Sequence, residues 1–227
     1  MRILVIDVGG THIKLMISRA EKRKFNSGLT MTPCEMVTQM KPLLADWSFA
    51  AVSVGFPSPV RDGRILSDPK HLGKGWVGFN FEKALGKPVR IVNDAAMQAL
   101  GSYRGGRMLF LGLGTGLGST LIWETNVLSL ELGDLPYGNG DIIEDYLGKS
   151  GMKQLGEKEW KREVLRAVLL LKKSLIADYV VLGGGSAKKF DQLPNGIELG
   201  HNRNAFLGGV RLWHTDPRTR RAKWRIM

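Results

Sequence analysis

The stretch Arg2-Ile-Leu-Val-Ile-Asp-Val-Gly-Gly-Thr-His-Ile-Lys-Leu-Met-Ile17 decides how the rest of the chain is read. Ile3 to Ile6 is an apolar run rich in β-branched residues, the pattern of a buried strand. Asp7 ends that run, Gly9-Gly10 supply a tight turn, and Ile13, Leu15 and Ile17 alternate with polar or small neighbours as a second strand. The product is a hairpin whose turn carries a carboxylate, two glycines, a hydroxyl and a lysine. Such a turn suits a phosphate chain. Free of Cβ bulk, the N–H groups of Gly9 and Gly10 can approach phosphoryl oxygens, while Thr11 adds a donor and Lys14 a point charge. Asp7 is placed to hold Mg²⁺, directly or through water. Taken alone, the same residues describe a plain Gly-Gly β-turn equally well.

A second stretch shifts the balance. Met108-Leu-Phe-Leu-Gly-Leu-Gly-Thr-Gly-Leu-Gly-Ser-Thr-Leu-Ile122 repeats the pattern of apolar strand, Gly-Thr-Gly turn and apolar strand. Two such hairpins in one chain imply a duplicated unit, one per domain, facing each other across a cleft. The pair resembles the phosphate-binding hairpins of the actin, Hsp70 and sugar-kinase superfamily, and within it the ROK sugar kinases, closest to the polyphosphate glucokinases. The similar segments are Gly55-Phe-Pro-Ser-Pro-Val60, Leu72-Gly-Lys-Gly-Trp-Val-Gly78, Val92-Asn-Asp-Ala-Ala96, Gly112-Leu-Gly-Thr-Gly-Leu-Gly-Ser119, Glu131-Leu-Gly133 and Gly183-Gly-Gly-Ser-Ala-Lys-Lys-Phe190. Each glycine-rich piece is weak by itself; six in collinear order are specific. The resemblance implies two actin-like (ribonuclease H-like) α/β domains with a cleft between them.

The totals bound the rest. At 227 residues the chain holds one large domain or two of about a hundred residues. No apolar run approaches the roughly 20 residues that span a bilayer. A lone Cys34 excludes an internal disulfide and a cysteine-based metal cluster, so a cytoplasmic enzyme of a reducing compartment is expected. The formal charge is +12, and six of the 33 basic residues (Arg211, Arg218, Arg220, Arg221, Lys223 and Arg225) lie in the last 17. Such a surface concentrates polyanions, from nucleic acid to nucleotides or inorganic polyphosphate, or is plain solvated charge.

Along the chain, Lys22 to Asn26 reads as a third strand closing a β-meander. Thr32-Pro-Cys-Glu35 has the form of a helix start, with Thr32 as N-cap and Glu35 at the capping-box place. Ala50 to Gly55 is a strand whose Phe56-Pro-Ser-Pro59 loop should line the ligand crevice. His71 to Gly78 is either a mobile flap or a loop pinned by Trp76. Pro88 to Val92 is a strand ending at Asn93-Asp94, and Ala95 to Tyr103 a helix, with the domain boundary between 95 and 96. In the second domain (96–227), helices are expected at Ile142–Leu147 and Glu157–Ser174. Tyr179–Leu182 should be a strand, and a closing helix near 204–214 would pack back on the first domain. Thr215 onward reads as polar, basic and frayed.

The chemistry concentrates at four places. A carboxylate at Asp94, where a buried strand meets a helix, can take a proton from an attacking hydroxyl, although a helix N-cap is the commoner use of Asp there. The resemblance reverses that preference: it implies Asp94 as catalytic base and Asn93 as a sugar-binding residue. It likewise places Glu131 on the sugar. The family pattern Glu-x-Gly-His becomes Glu131-Leu-Gly-Asp134 here, and His71 stands where polyphosphate glucokinases tend to carry Asn. Both departures fall on the acceptor side. Gly114-Thr115-Gly116 would hold phosphoryl groups opposite Gly9, Gly10, Thr11 and Lys14. Gly183-Gly184-Gly185-Ser186 would lie against a nucleotide, or Lys188 and Lys189 would track a polyphosphate chain.

The expected activity is Mg²⁺-dependent transfer of a phosphoryl group from polyphosphate or ATP to a sugar hydroxyl, glucose giving glucose 6-phosphate first among them. Alternatives are another sugar or amino sugar as acceptor, a non-catalytic sugar or nucleotide sensor on the same fold, and a polyanion-binding protein whose basic tail is the functional part. The zinc-binding Cys/His cluster of many ROK kinases has no counterpart in the sequence. The first hairpin begins at residue 2, leaving no room for the N-terminal DNA-binding domain of ROK repressors, so nucleic acid is not an expected partner. A homodimer is implied by the family alone.

Overall fold

The strand Ile3–Val8 (β1) is buried along its whole length because it lies at the centre of a sheet covered on both faces. This computed structural model describes residues 1–138, 140–201 and 203–227. β1 pairs antiparallel with β2 (His12–Met16), and β2 with β3 (Lys22–Asn26). Helix α1 (Pro33–Leu43) starts in a complete capping box: Thr32 Oγ1 accepts the Glu35 N–H at 3.3 Å, and Glu35 Oε2 accepts the Thr32 N–H at 2.8 Å. It buries Met36, Val37 and Met40 against the sheet. β4 (Ala51–Phe56) returns parallel to β1. A short ribbon of β5 (Val60–Arg61) and β6 (Arg64–Ile65) and helix α2 (Phe81–Leu85) lead to β7 (Val89–Asn93), parallel to β4. The sheet order is β3-β2-β1-β4-β7.

The second half repeats this plan. β8 (Arg107–Leu113), β9 (Leu117–Trp123) and β10 (Asn126–Leu130) form an antiparallel meander. A ribbon of β11 (Pro136–Tyr137) and β12 (Asp141–Ile142) precedes helices α4 (Ile143–Leu147), α5 (Lys149–Leu155) and α6 (Glu157–Ser174). β13 (Tyr179–Gly183) runs parallel to β8, and β14 (Ile197–Leu199) parallel to β13. Reading β10-β9-β8-β13-β14 against β3-β2-β1-β4-β7 gives the same order and the same pairing senses. The duplication inferred from two hairpins is therefore a duplication of whole sheets.

Each sheet feeds one crossing helix: α3 (Asp94–Ser102) after β7 and α7 (Asn204–Arg211) after β14. The two lie between the sheets and pack on each other, with α3 touching both sheets and α7 touching β1 and β4. Their contact is backbone to backbone. A Cβ at Gly208 would sit 1.7 Å from the Met97 carbonyl oxygen, and one at Gly101 would sit 1.8 Å from that of Asn204. Polar ties hold α7 in place. Buried Ser53 Oγ donates to the Gly209 carbonyl at 2.7 Å and accepts Trp213 Nε1–H at 2.9 Å. The Arg211 guanidinium satisfies the carbonyls of Leu100 and Tyr103 at the end of α3, where no intrahelical partner exists.

The structure overturns one expectation, decides one alternative and adds a helix. The tail is not frayed: Thr215 bridges to Ala222, Asp216 Oδ1 accepts the N–H groups of Arg218 and Thr219, and β15 (Arg225–Ile226) adds to the open edge of β10. An exposed edge offers unpaired backbone groups that a short strand satisfies, and Trp224 anchors it edge-on to Tyr103 at 5.8 Å. The His71–Gly78 loop is pinned. Trp76 is fully buried, 5.0 Å from the Phe56 ring, and Asp68 Oδ1 accepts its backbone N–H at 2.8 Å. Helix α5 was not anticipated; Gly148, Gly151 and Gly156 break the apolar period there. Helix α6 buries Trp160, Val164, Ala167, Val168 and Leu171 along one face.

Gly208→Ala should open the α3–α7 crossing, because the obstructing atom is backbone and cannot rotate aside. Overpacking of this kind costs about 1–3 kcal/mol, and the melting temperature should fall by roughly 2–12 °C in a thermal unfolding experiment. Gly185→Ala, whose added Cβ meets nothing within 4 Å, is the control expected to change little.

Candidate active site

Above the helix crossing, the two glycine turns face each other across a cleft of about 590 Å³. Gly9, Gly10 and Thr11 line one side, and Gly114, Thr115 and Gly116 the other. The first turn is held from β3: Ser27 Oγ donates to the Gly9 carbonyl at 2.6 Å, and the Ser27 N–H to that of Thr11 at 3.0 Å. The second is held from α4, where Glu144 Oε2 accepts the Leu117 N–H at 2.9 Å. A Cβ on Gly116 would lie 2.3 Å from that carboxylate, so the close approach of Glu144 as it stands leaves no room for a side chain there.

Asp94 lies at the floor, in the first turn of α3, and is half-buried. It is not the helix cap. Asn93 fills that role, its Oδ1 accepting the N–H of Ala95 at 3.0 Å and of Ala96 at 3.3 Å. That leaves the Asn93 amide as donor, with Nδ2 3.4 Å from the Ser58 carbonyl. The Asp94 carboxyl is pushed up to about 7, first by burial and then by the charge of Asp7, against the pull of the Ala95 N–H and of Lys14. A carboxyl poised near neutrality beside an open cleft is what a proton acceptor needs.

Asp7 and Lys14 sit behind the first turn rather than in the cleft lining. They are opposite each other in register on β1 and β2, and Lys14 Nζ is 2.8 Å from Asp7 Oδ2. Asp7 Oδ1 has no hydrogen-bond partner among the described residues. No group of three or more metal-ligating side chains gathers among the described residues. One carboxylate with a free oxygen, next to turns that would hold phosphates, suits Mg²⁺, which takes one or two carboxylates and completes its shell with water and phosphate oxygens.

At the opposite end lie carboxylates. Glu131 lines the cleft rim, and its pKa is raised by burial and then by Asp134 and Glu144, with Lys70 acting against them. Asp134 is one turn further on and outside the lining. His71 lines the cleft, its Cβ against Gly10. Gly183, Gly184 and Lys188 line a narrow crevice of about 30 Å³ beside the main cleft, between Phe110, Leu199 and Asn204. Gly184 borders both spaces. Gly185 and Ser186 stay out of both linings, and Lys189 is bound to Glu157.

Sequence reading missed Glu144, Lys70 and Asp68. Glu144 lies in a short helix with no motif of its own and reaches the second turn only through the fold. Lys70 lines the cleft from the loop that Trp76 pins. The N–H groups of Trp76, Gly75 and Val77 hold the Asp68 carboxyl below its ordinary range, and that carboxyl in turn shapes the loop.

Two repeated sheets, two crossing helices and a phosphate-type turn from each half define a two-domain α/β protein of the actin-like class. The ROK family model matches residues 3–131, more than half of the chain, and the protein belongs to the ROK family. Among solved structures, it resembles an inorganic polyphosphate/ATP-glucomannokinase from Arthrobacter sp. strain KM, with 23% identity, 91% of this chain and 96% of that one covered, and a TM-score of 0.77. It also resembles a ROK family glucokinase from Streptomyces griseus in complex with glucose and AMPPNP (16% identity, 92% and 97% covered, TM-score 0.70). A ROK family transcriptional regulator, homologous to the E. coli MLC protein, is similar as well (13% identity, 92% and 76% covered, TM-score 0.71). At these identities the likeness establishes the fold. No curated protein sequence is significantly similar to this chain.

The raised pKa of Asp94 has a consequence for stability. A carboxyl with a higher pKa folded than unfolded favours the fold while protonated, and that contribution is lost as pH rises through the folded value. Wild type should therefore lose stability relative to Asp94→Asn between about pH 4 and pH 7, with a constant difference above that range. Urea midpoints of both proteins across this range test it. A difference independent of pH would mean that Asp94 ionises as an ordinary surface carboxylate.

Proposed function

We propose that the protein is a sugar kinase that moves a phosphoryl group from polyphosphate or ATP to a sugar hydroxyl, with the 6-position of glucose as the leading acceptor. The observation that carries this reading is Asp94, a carboxyl poised near pH 7 on the floor of a cleft flanked by two glycine turns. Asp94 would take the proton of the hydroxyl as its oxygen attacks phosphorus. Asn93 Nδ2, His71 and Glu131 would orient the sugar, and the turns Gly9–Thr11 and Gly114–Gly116 would hold the phosphoryl oxygens. Mg²⁺, when bound, would neutralise phosphate charge, and Asp7 would hold it through Oδ1 or a water. Most of the acceleration would come from positioning and charge neutralisation. The halves 1–95 and 96–227 would act as lobes that close on the substrates about the α3–α7 crossing. Family membership supports the reading without deciding it, since the same fold serves a regulator. No described helix is long and apolar enough to cross a membrane, in keeping with work in the cytoplasm.

A second acceptor class has support of its own. The charges of Asp134 and Glu144 both raise the pKa of Glu131 at the cleft rim. A cationic amino sugar would relieve that repulsion.

Asp94→Asn should lower kcat by about 10²–10⁴-fold while leaving sugar binding within about tenfold, because the amide keeps the shape and cannot take the proton. Single-turnover assays across a panel of sugars with both donors, together with calorimetric sugar binding, are the measurement. A variant that keeps more than a tenth of the wild-type kcat would refute Asp94 as the base. If Asp134 serves an acceptor other than glucose, Asp134→His should raise kcat/KM for glucose. Glucose as the best wild-type substrate, harmed by this change, would exclude the amino-sugar reading.

A further inference from the structure

The charge excess of the chain does not fall where the sequence suggested. Lys189 is taken by Glu157. The basic hairpin at the C-terminus hangs from β15, four strands across the sheet from β13 and the Gly183 turn. At about 4.8 Å per strand, that separation is roughly 19 Å. Neither feature borders the cleft.

Lys70 lines the cleft itself; a further group of positive charges lies on the first sheet, beyond the first glycine turn. Asp7, Lys14 and Lys24 stand opposite one another in register across β1, β2 and β3, so they share one face of that sheet. The register pair Met16 and Lys22 lies on the same face, two residues along each strand. This is the face on which Val5 meets α7, the inner side of the sheet. Lys14 is neutralised by Asp7. Lys22 and Lys24 are exposed, and no carboxylate lies within 4 Å of either among the described residues. Like charges directly opposite each other, as Lys14 and Lys24 are, are unfavourable unless an anion lies between or beside them.

The site as a whole is therefore polarised. Glu131 at the cleft rim has Asp134 and Glu144 as acidic neighbours, while the row beyond Asp7, through Lys14 and Lys24 to Lys22, is cationic. A nucleotide and an unbranched phosphate chain would leave the turns by different exits. A base and ribose need a flat surface, and the crevice of Gly183, Gly184, Phe110 and Leu199 offers one. A chain without a base has no use for that surface and follows the charge.

We propose that Lys22 and Lys24, continuing the row begun by Lys14, form a distal subsite for linear inorganic polyphosphate that extends past the groups held at the turns. This inference rests on the kinase reading for the position of the reacting phosphate. Its competitor is that lysines on the edge strand β3 serve only to discourage edge-to-edge pairing between molecules.

The test compares wild type with Lys22→Ala/Lys24→Ala, using long-chain polyphosphate, tripolyphosphate and ATP as donors at fixed free Mg²⁺. The expected result is a rise in KM of roughly fivefold or more for long-chain polyphosphate, with little change for tripolyphosphate and ATP. The salt dependence of long-chain binding should also weaken. Two lost phosphate contacts correspond to a slope smaller by roughly 1.4, by analogy with single-stranded nucleic acid. Equal changes for all three donors, or none, would overturn the subsite and leave edge protection. Fluorescence anisotropy with labelled long-chain polyphosphate separates this outcome from failure of the kinase reading, because it needs no turnover. If wild type phosphorylates no sugar yet binds the chain through Lys22 and Lys24, the kinase reading fails and the subsite stands. Lack of chain binding by wild type overturns the subsite itself.

Discussion

The contact between α3 and α7 sets how the two sheets stand to each other, and with them the two sides of the cleft. The helix backbones touch at Gly101 and Gly208, with no room for even one carbon atom more. That closeness lets a single pair of helices fill the space between two sheets. It also places the first turn of α3, with Asp94, between the two glycine turns. A wider crossing would separate the turns and lift the carboxyl from the floor. The ties made by Ser53, Trp213 and Arg211 protect this geometry from the side of α7, where the helix meets the first sheet and the end of α3.

The electrostatics of the cleft follow from the same arrangement. α3 carries Asp94 into a partly desolvated place near Asp7, and each effect raises the Asp94 pKa. Lys14 limits the rise by pairing with Asp7. On the far side, Glu144 crosses from its own helix to the second turn and adds its charge to that felt by Glu131. The result is a site with carboxylates at the rim near Glu131 and a basic flank beyond Asp7, built from residues on both sheets.

Local pattern made much of this legible. Ile3–Val8 reads as a buried strand because its apolar run is uninterrupted, and the Thr32–Glu35 capping box marks a helix start that exists as read. The inward residues of α6 follow from their spacing. Asn93 was harder: at a strand–helix junction either Asn93 or Asp94 can cap, and only the backbone geometry shows that Asn93 does. The tail was misread because its order comes from the open edge of β10, which lies far off in sequence. The loop at His71 was ambiguous until Trp76 was seen buried among Phe56 and Phe81.

The sequence by itself determined the strands, the capped helix, the duplication and the two glycine turns, because those depend on residues close together along the chain. Resemblance to the ROK kinases, rather than local pattern, singled out Asp94, Asn93 and Glu131. Only the tertiary structure decided that Asp7 and Lys14 pair behind the first turn, that Glu144 braces the second, that Lys189 is occupied by Glu157, and that Lys24 joins a charged row with Asp7. Each of those facts is a meeting of side chains set by strand register or sheet order. Register and order are settled by how two whole sheets close on α3 and α7, and no local window of sequence contains that information.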